Sequence, residues 1–211
     1  MRRALQYITL ALFLGLCLLT TPAGQESWLV NLFIRIDPFL ALGATLAARR
    51  LIMEFTPAVL LVGLTVLLGR AWCGWLCPLG TLLELVHLPR LGETFPPSWR
   101  RIKYALLFLA LAGAIIGSPL FFVLDPLTIL ARTLAVVSTL VKGRGFYGSS
   151  VFFAALFAAI VALNLIAPRF WCRVLCPLGA LLGLFSRVAL FRRRIKDRCT
   201  QCGLCTHLCP M

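Results

Sequence analysis

Eight of the nine cysteines in this 211-residue chain stand in ordered spacings. Thiols arranged in that way do metal or redox chemistry. Four of them form two pairs. "RAWCGWLCPLGTLLEL", from Arg70, sets Cys73 four residues before Cys77, and "RFWCRVLCPLGALLGL", from Arg169, sets Cys172 four residues before Cys176. Eleven of these sixteen positions are identical, including the Pro-Leu-Gly that follows. On a helical turn a spacing of four brings both sulfurs to one face. Pro78 and Pro177 disfavour helix in the residue before them and fit the first turn of a new helix, so Cys77 and Cys176 are predicted to sit at a break. The N-terminus of the helix that follows lowers a thiol's pKa, and such thiolates hold a metal or react. The other four, Cys199, Cys202, Cys205 and Cys209, lie in "CTQCGLCTHLCP" near the C-terminus. That tight spacing lets three thiolates of one loop reach the corners of one [4Fe–4S] cube, whereas zinc favours two separated pairs. His207, between those ligands, reads as a loop residue. Cys17, alone in an apolar stretch, reads as a small buried hydrophobe.

Three uses compete for Cys73, Cys77, Cys172 and Cys176. Facing pairs present four thiolates to one centre, which suits an iron–sulfur cluster bridging the two copies. Redox-active thiol pairs come next, then a tetrahedral structural zinc. Arg70 and Arg169, three residues before each first cysteine, read as cofactor-site cations that offset cluster charge, with snorkelling to lipid phosphate as the alternative. Trp72 and Trp171 read as anchors at the lipid–water boundary.

The elements that must carry these residues are apolar. Hydrophobic residues make up 61% of the chain and charged residues 13%, against roughly 25% charged in soluble domains. The formal net charge is +14, but the basic residues cluster between apolar runs, which excludes nucleic acid as the expected partner and fits membrane topology. Four transmembrane helices are predicted at about 4–21, 55–71, 103–120 and 150–167. The first resembles a signal peptide and is read as retained. The repeat extends upstream of the cysteine pairs: "DPFLALGATLA" from Asp37 aligns with "DPLTILARTLA" from Asp125, and "RRALQY" faces "RRIKY". Asp before Pro is a helix start, with Asp capping free amides and Pro at the first helical position. These charged segments are predicted to lie at the outer surface or to dip partway in.

The expected fold is an all-α membrane protein with four transmembrane helices in two tandem parallel repeats, plus a C-terminal ferredoxin-like cluster-binding segment. Repeat 1 spans 1–90, repeat 2 spans 91–190, and the cluster segment spans 191–211. With the N-terminus inside, fifteen of the 21 basic residues fall on the inner side, which predicts the bacterial cytoplasmic membrane with N-terminus and cluster segment cytoplasmic. Two spans per half would make the repeats parallel and bring both cysteine pairs to one surface.

Arg-x-Trp-Cys-x3-Cys-Pro-Leu-Gly twice, followed by the bacterial ferredoxin run Cys-x2-Cys-x2-Cys-x3-Cys-Pro, resembles the membrane polyferredoxins. That family includes the quinol-oxidising subunit of periplasmic nitrate reduction, the nitrous-oxide reductase regulator and the methylamine-utilisation ferredoxin. The resemblance implies electron transfer between the quinone pool or a membrane redox partner and a terminal reductase or other acceptor. It also implies one [4Fe–4S] cluster on Cys199, Cys202, Cys205 and Cys209, with the motif cysteines as a candidate second centre. The expected partners are membrane lipid, a redox partner subunit and quinol. Such a protein is an electron carrier or a subunit of an oxidoreductase complex rather than a stand-alone enzyme. The alternatives are an iron–sulfur assembly or metal-reducing factor for a respiratory metalloenzyme, and a thiol–disulfide relay. The second ferredoxin run of the family is missing, and the chain is expected to be a shortened version of a longer one.

Overall fold

The computed structural model describes residues 2–20, 35–50, 52–69, 72–86, 99, 101–118, 123–141, 148–167 and 169–191. Every regular element among them is helical. In the first half, α1 (Arg2–Thr20) is followed by α2 (Pro38–Ala48), α3 (Thr56–Leu68), a π-turn at Trp72–Leu76 and α4 (Pro78–Leu85). The second half repeats that order: α5 (Ile102–Ile115), α6 (Pro126–Val141), α7 (Gly148–Ile166), a π-turn at Trp171–Leu175 and α8 (Pro177–Phe185).

The halves exchange contacts as well as repeating each other. Within each half the first helix packs on the short helix after the cysteines, α1 on α4 and α5 on α8. Between halves, α2 packs on α5 and α6 on α1. One apolar core results. Phe39, Leu79, Leu83, Ile129, Leu178 and Leu182 are fully buried there, in the same cluster as Cys77 and Cys176. Leu79 and Leu178 follow the motif prolines in their respective copies. Burying a leucine is worth about 2 kcal/mol, so the motif itself helps fasten the core.

The four expected spans are not formed: among the described residues no helix is long and apolar enough to cross a membrane. α3 has 13 residues and α5 has 14, which is roughly 20 Å of helix against about 30 Å of hydrocarbon. Gly69 (φ +73°) follows α3 and Gly117 (φ +85°) follows α5, and a positive φ, which glycine adopts without strain, takes the chain out of the helix. α1 and α7 have 19 residues each, still only about 28 Å. The chain nonetheless shows much apolar side chain on its outside, including Val59, Leu60, Phe108, Ile116 and Val151.

The Asp-Pro segments do start helices. Asp37 and Asp125 are wholly buried. Trp72 and Trp171, expected as boundary anchors, are also buried.

Candidate functional site

Each Cys-x3-Cys-Pro stretch forms the same corner. The Cys77 N–H donates to the Trp72 carbonyl at 3.0 Å, and the Cys176 N–H donates to the Trp171 carbonyl at 2.9 Å. These i→i+5 bonds make one π-turn each, a form found mostly as single turns and often at functional sites. The following proline pushes each cysteine out of helical geometry, to φ −68°, ψ 115° at Cys77 and φ −67°, ψ 113° at Cys176. α4 and α8 then start on Pro78 and Pro177, whose missing N–H costs nothing at a helix start. The Gly179 N–H donates to Cys176 Sγ at 3.3 Å. The motif glycines permit this fold-back. A Cβ at Gly80 would stand 3.3 Å from the Cys73 carbonyl, and one at Gly179 would stand 3.4 Å from the Cys172 carbonyl and 3.6 Å from Cys176 Sγ.

The two corners meet. Cys77 lies within electrostatic reach of Cys172 and Cys73, and Cys176 within reach of Cys172, Cys73 and Cys77. Cys77 and Cys176 are buried, Cys73 and Cys172 are half-buried, and none of the four is in a disulfide. Burial, and then the neighbouring thiols, push the Cys77 and Cys176 thiols far up. Burial also raises Cys172, but Arg169, Arg173 and Lys103 pull it back. Four sulfur donors with three cations beside them suit an anionic redox centre. Yet among the described residues no three His, Cys, Asp or Glu side chains converge as a metal-ligand set. The set therefore fits iron–sulfur chemistry in donor type but not in convergence. Cys199, Cys202, Cys205, Cys209 and Arg70 lie outside the described residues.

A polar network holds the corners together. Arg169 is buried, with its backbone at φ +54°, rare for a residue with a side chain. Its N–H donates to Asn164 Oδ1 at 2.8 Å, and its guanidinium pairs with Glu84 on α4 of the other half. Asn164 is fully buried and also donates from Nδ2 to the Leu83 carbonyl at 2.7 Å. Gln6 on α1 donates to Glu84 Oε2 at 3.0 Å and to the Gly74 carbonyl, inside the first π-turn, at 2.8 Å. Arg169 is thus a bridge between the halves as well as a cation near Cys172, and it does not snorkel. Glu84 and Gln6 escaped the sequence reading. The only signal for Glu84 was a lone acid in the apolar run "PLGTLLEL". Asn164 is the helix–helix hydrogen-bonding residue that a buried amide in an apolar helix suggests. Cys17 is buried in the core.

A family model described as a 4Fe-4S binding domain matches this chain twice, at residues 52–100 and 150–197. Each match contains one cysteine corner. The putative electron transport protein YccM of Escherichia coli (strain K12) is 32% identical over 208 residues, covering 90% of this chain and 54% of that protein. The methylamine utilization ferredoxin-type protein MauN of Paracoccus denitrificans (strain Pd 1222) is 30% identical over 82% of this chain and 60% of its own length. The ferredoxin-type protein NapH of Escherichia coli (strain K12) is 29% identical over 100% of this chain and 74% of its own length. The chain spans about six-tenths of the length of several curated relatives it matches, 60% of MauN and 63% of another. No solved structure gives a significant match.

Proposed function

Because this chain belongs to the polyferredoxin family of ferredoxin-type [4Fe–4S] electron-transfer proteins, we propose that it passes electrons between the quinone pool, or a membrane redox partner, and a terminal reductase or other acceptor. The observation that carries this reading is that Cys73, Cys77, Cys172 and Cys176, from two copies of one motif, lie within electrostatic reach of one another. A [4Fe–4S] cluster supplies one-electron chemistry when bound. In this reading Cys199, Cys202, Cys205 and Cys209 hold it, and the motif thiols form a neighbouring redox centre. Arg169, Arg173 and Lys103 favour negative charge at Cys172, while burial keeps water from the inner thiols. The buried indole N–H groups of Trp72 and Trp171 find no hydrogen-bond partner among the described residues, so each corner has a donor available to an anionic acceptor.

The proposed place of work is the bacterial cytoplasmic membrane, with the N-terminus and cluster segment on the cytoplasmic side. The clustered basic residues and the exposed apolar side chains support contact with lipid. A redox partner subunit and quinol are the proposed partners.

Iron and acid-labile sulfide counting with EPR, after oxygen-free purification, tests the proposal. About four irons per chain is the expected result for the tail cluster, and about eight would place a second cluster at the corners. A preparation that binds no iron when reconstituted would overturn it. The missing metal-type convergence favours one second reading for the corners, a thiol–disulfide relay. Alkylation before and after reduction separates the two, because a relay exposes new reactive thiols on reduction.

A further inference from the structure

Asp37 and Asp125 occupy equivalent places in the two halves, each capping the helix that follows, and both are completely buried. Each carboxyl uses one oxygen on its own helix. Asp37 Oδ1 accepts from the Phe39 N–H at 2.8 Å and the Leu40 N–H at 3.4 Å, and Asp125 Oδ2 accepts from the Thr128 N–H at 2.9 Å. The remaining oxygens, Asp37 Oδ2 and Asp125 Oδ1, are buried and, among the described residues, find no donor N–H or O–H. The two carboxyls lie within hydrogen-bonding reach of each other.

Among the described residues, few titratable groups stand on the elements around this pair. α2 packs against α3, α5 and α8, and α6 packs against α1, α4 and α7. α3, α7 and α8 carry no titratable side chain. On α5, Lys103 lies over the Tyr104 ring; on α4, Glu84 pairs with Arg169. α1 offers Arg2, Arg3, Tyr7 and Cys17. Nearby, Arg35 pairs with Glu54 and Arg132 lies over the Phe153 ring. The interactions that set Asp37 are burial, Asp125 and the amides of Phe39 and Leu40; those that set Asp125 are burial, Asp37, Thr128 and the amide of Leu127.

Two buried carboxylates in contact, with no cation paired to them among the described residues, cannot both keep their charge. One proton between them turns two orphaned acceptors into a single O–H···O bond and removes half the charge. We propose that Asp37 and Asp125 form a proton-binding site between the two halves, an acid–carboxylate pair that holds one proton at neutral pH and ties α2 to α6. Burial, followed by the Asp125 charge, raises Asp37 well above the usual carboxylate range. Burial raises Asp125 as well, and the Asp37 hydrogen bond, Thr128 and the amide of Leu127 offset part of that rise. The site does not depend on the electron-transfer reading.

The linkage has a definite sign. The folded chain holds a proton that the unfolded chain releases above the ordinary aspartate pKa of about 4. The pair's contribution is therefore complete in acid and is lost as pH rises through the raised folded pKa. Asp37→Asn supplies the hydrogen-bond donor permanently and still caps α2.

Infrared spectroscopy of the full chain in H2O and D2O tests this. The chain has only seven acidic residues, so a protonated carboxyl band at neutral pH is traceable. The expected result is one deuterium-sensitive band, absent in Asp37→Asn, and a denaturation midpoint that falls with alkaline pH in the wild type but less in the variant. No such band in the wild type, or a band that survives in Asp37→Asn, overturns the proposal. If Asp37→Asn does not fold, the wild-type band and its loss in Asp125→Asn decide alone.

Discussion

At Cys77 and Cys176 the backbone angles agree to within a few degrees, yet the two corners sit in different electrostatic surroundings. Arg173 in the second corner occupies the place of Gly74 in the first, and Glu84 in the first half occupies the place of Gly183 in the second. These differences interlock. The Gly74 carbonyl takes the Gln6 amide, and Glu84 takes both Gln6 and Arg169. The second corner thereby gains the Arg173 cation near Cys172, and the first gains the acid that pairs with Arg169. Duplication supplied the shape, and divergence at a few positions made the copies complementary. An identical pair of corners would set like charges against each other across the interface.

Substitutions can break that complementarity in graded steps. The largest effect is expected at Asn164. Asn164→Leu strands the Leu83 carbonyl and the Arg169 amide, at about 1–3 kcal/mol for each buried group left unsatisfied. Its counterpart Thr65 bonds only to Leu61 of its own helix, so Thr65→Val is expected to cost less than about 1 kcal/mol. Denaturation midpoints compare the two directly, and equal losses would remove Asn164 from its place as the joint between halves. Next comes Glu84→Gln, which removes the carboxylate charge that pairs with Arg169. The side chain of Glu84 is 35% exposed, so the loss is expected near 2 kcal/mol rather than the 3–5 kcal/mol of a fully buried pair.

A smaller effect is chemical. Arg173→Gly makes the second corner resemble the first and removes one of the cations that favour the Cys172 thiolate. The Cys172 thiol is then expected to titrate at higher pH, and its alkylation at neutral pH to slow by about five-fold, for roughly 1 kcal/mol of lost charge interaction. Mass-spectrometric labelling rates measure this, with Cys73 as the internal comparison. The smallest effect separates the glycines. The Cβ added by Gly80→Ala falls 3.3 Å from the Cys73 carbonyl, tighter than the 3.4 Å at Gly179. Gly80→Ala is expected to be less stable than Gly179→Ala by a few tenths of a kcal/mol, since alanine's helix preference of about 1 kcal/mol applies equally to both.

The sequence carried the corners in some detail. Pro78 and Pro177 fixed where helices restart, Asp37 and Asp125 marked caps, and the repeat showed two equivalent units. These are local effects of residues on their own backbone. Helix length was misread because apolar runs conceal where a chain turns. Gly69 and Gly117 stop α3 and α5, yet apolar residues resume within three positions of each, after Arg70 and after Ser118-Pro119. The π-turn was also missed, since a spacing of four suits an α-turn equally well. The Glu84–Arg169 pair spans 85 positions, and the Asp37–Asp125 contact joins residues from different halves. Contacts of that kind follow from how the halves interleave, which no local pattern encodes.

The central claim is that the two motif copies build one sulfur centre. Mild oxidation of the full chain, followed by proteolysis between the halves and peptide mapping, tests it directly. The account predicts disulfides that join Cys73 or Cys77 to Cys172 or Cys176. Bonds confined to Cys73–Cys77 and Cys172–Cys176, with no peptide linking the halves, would contradict it.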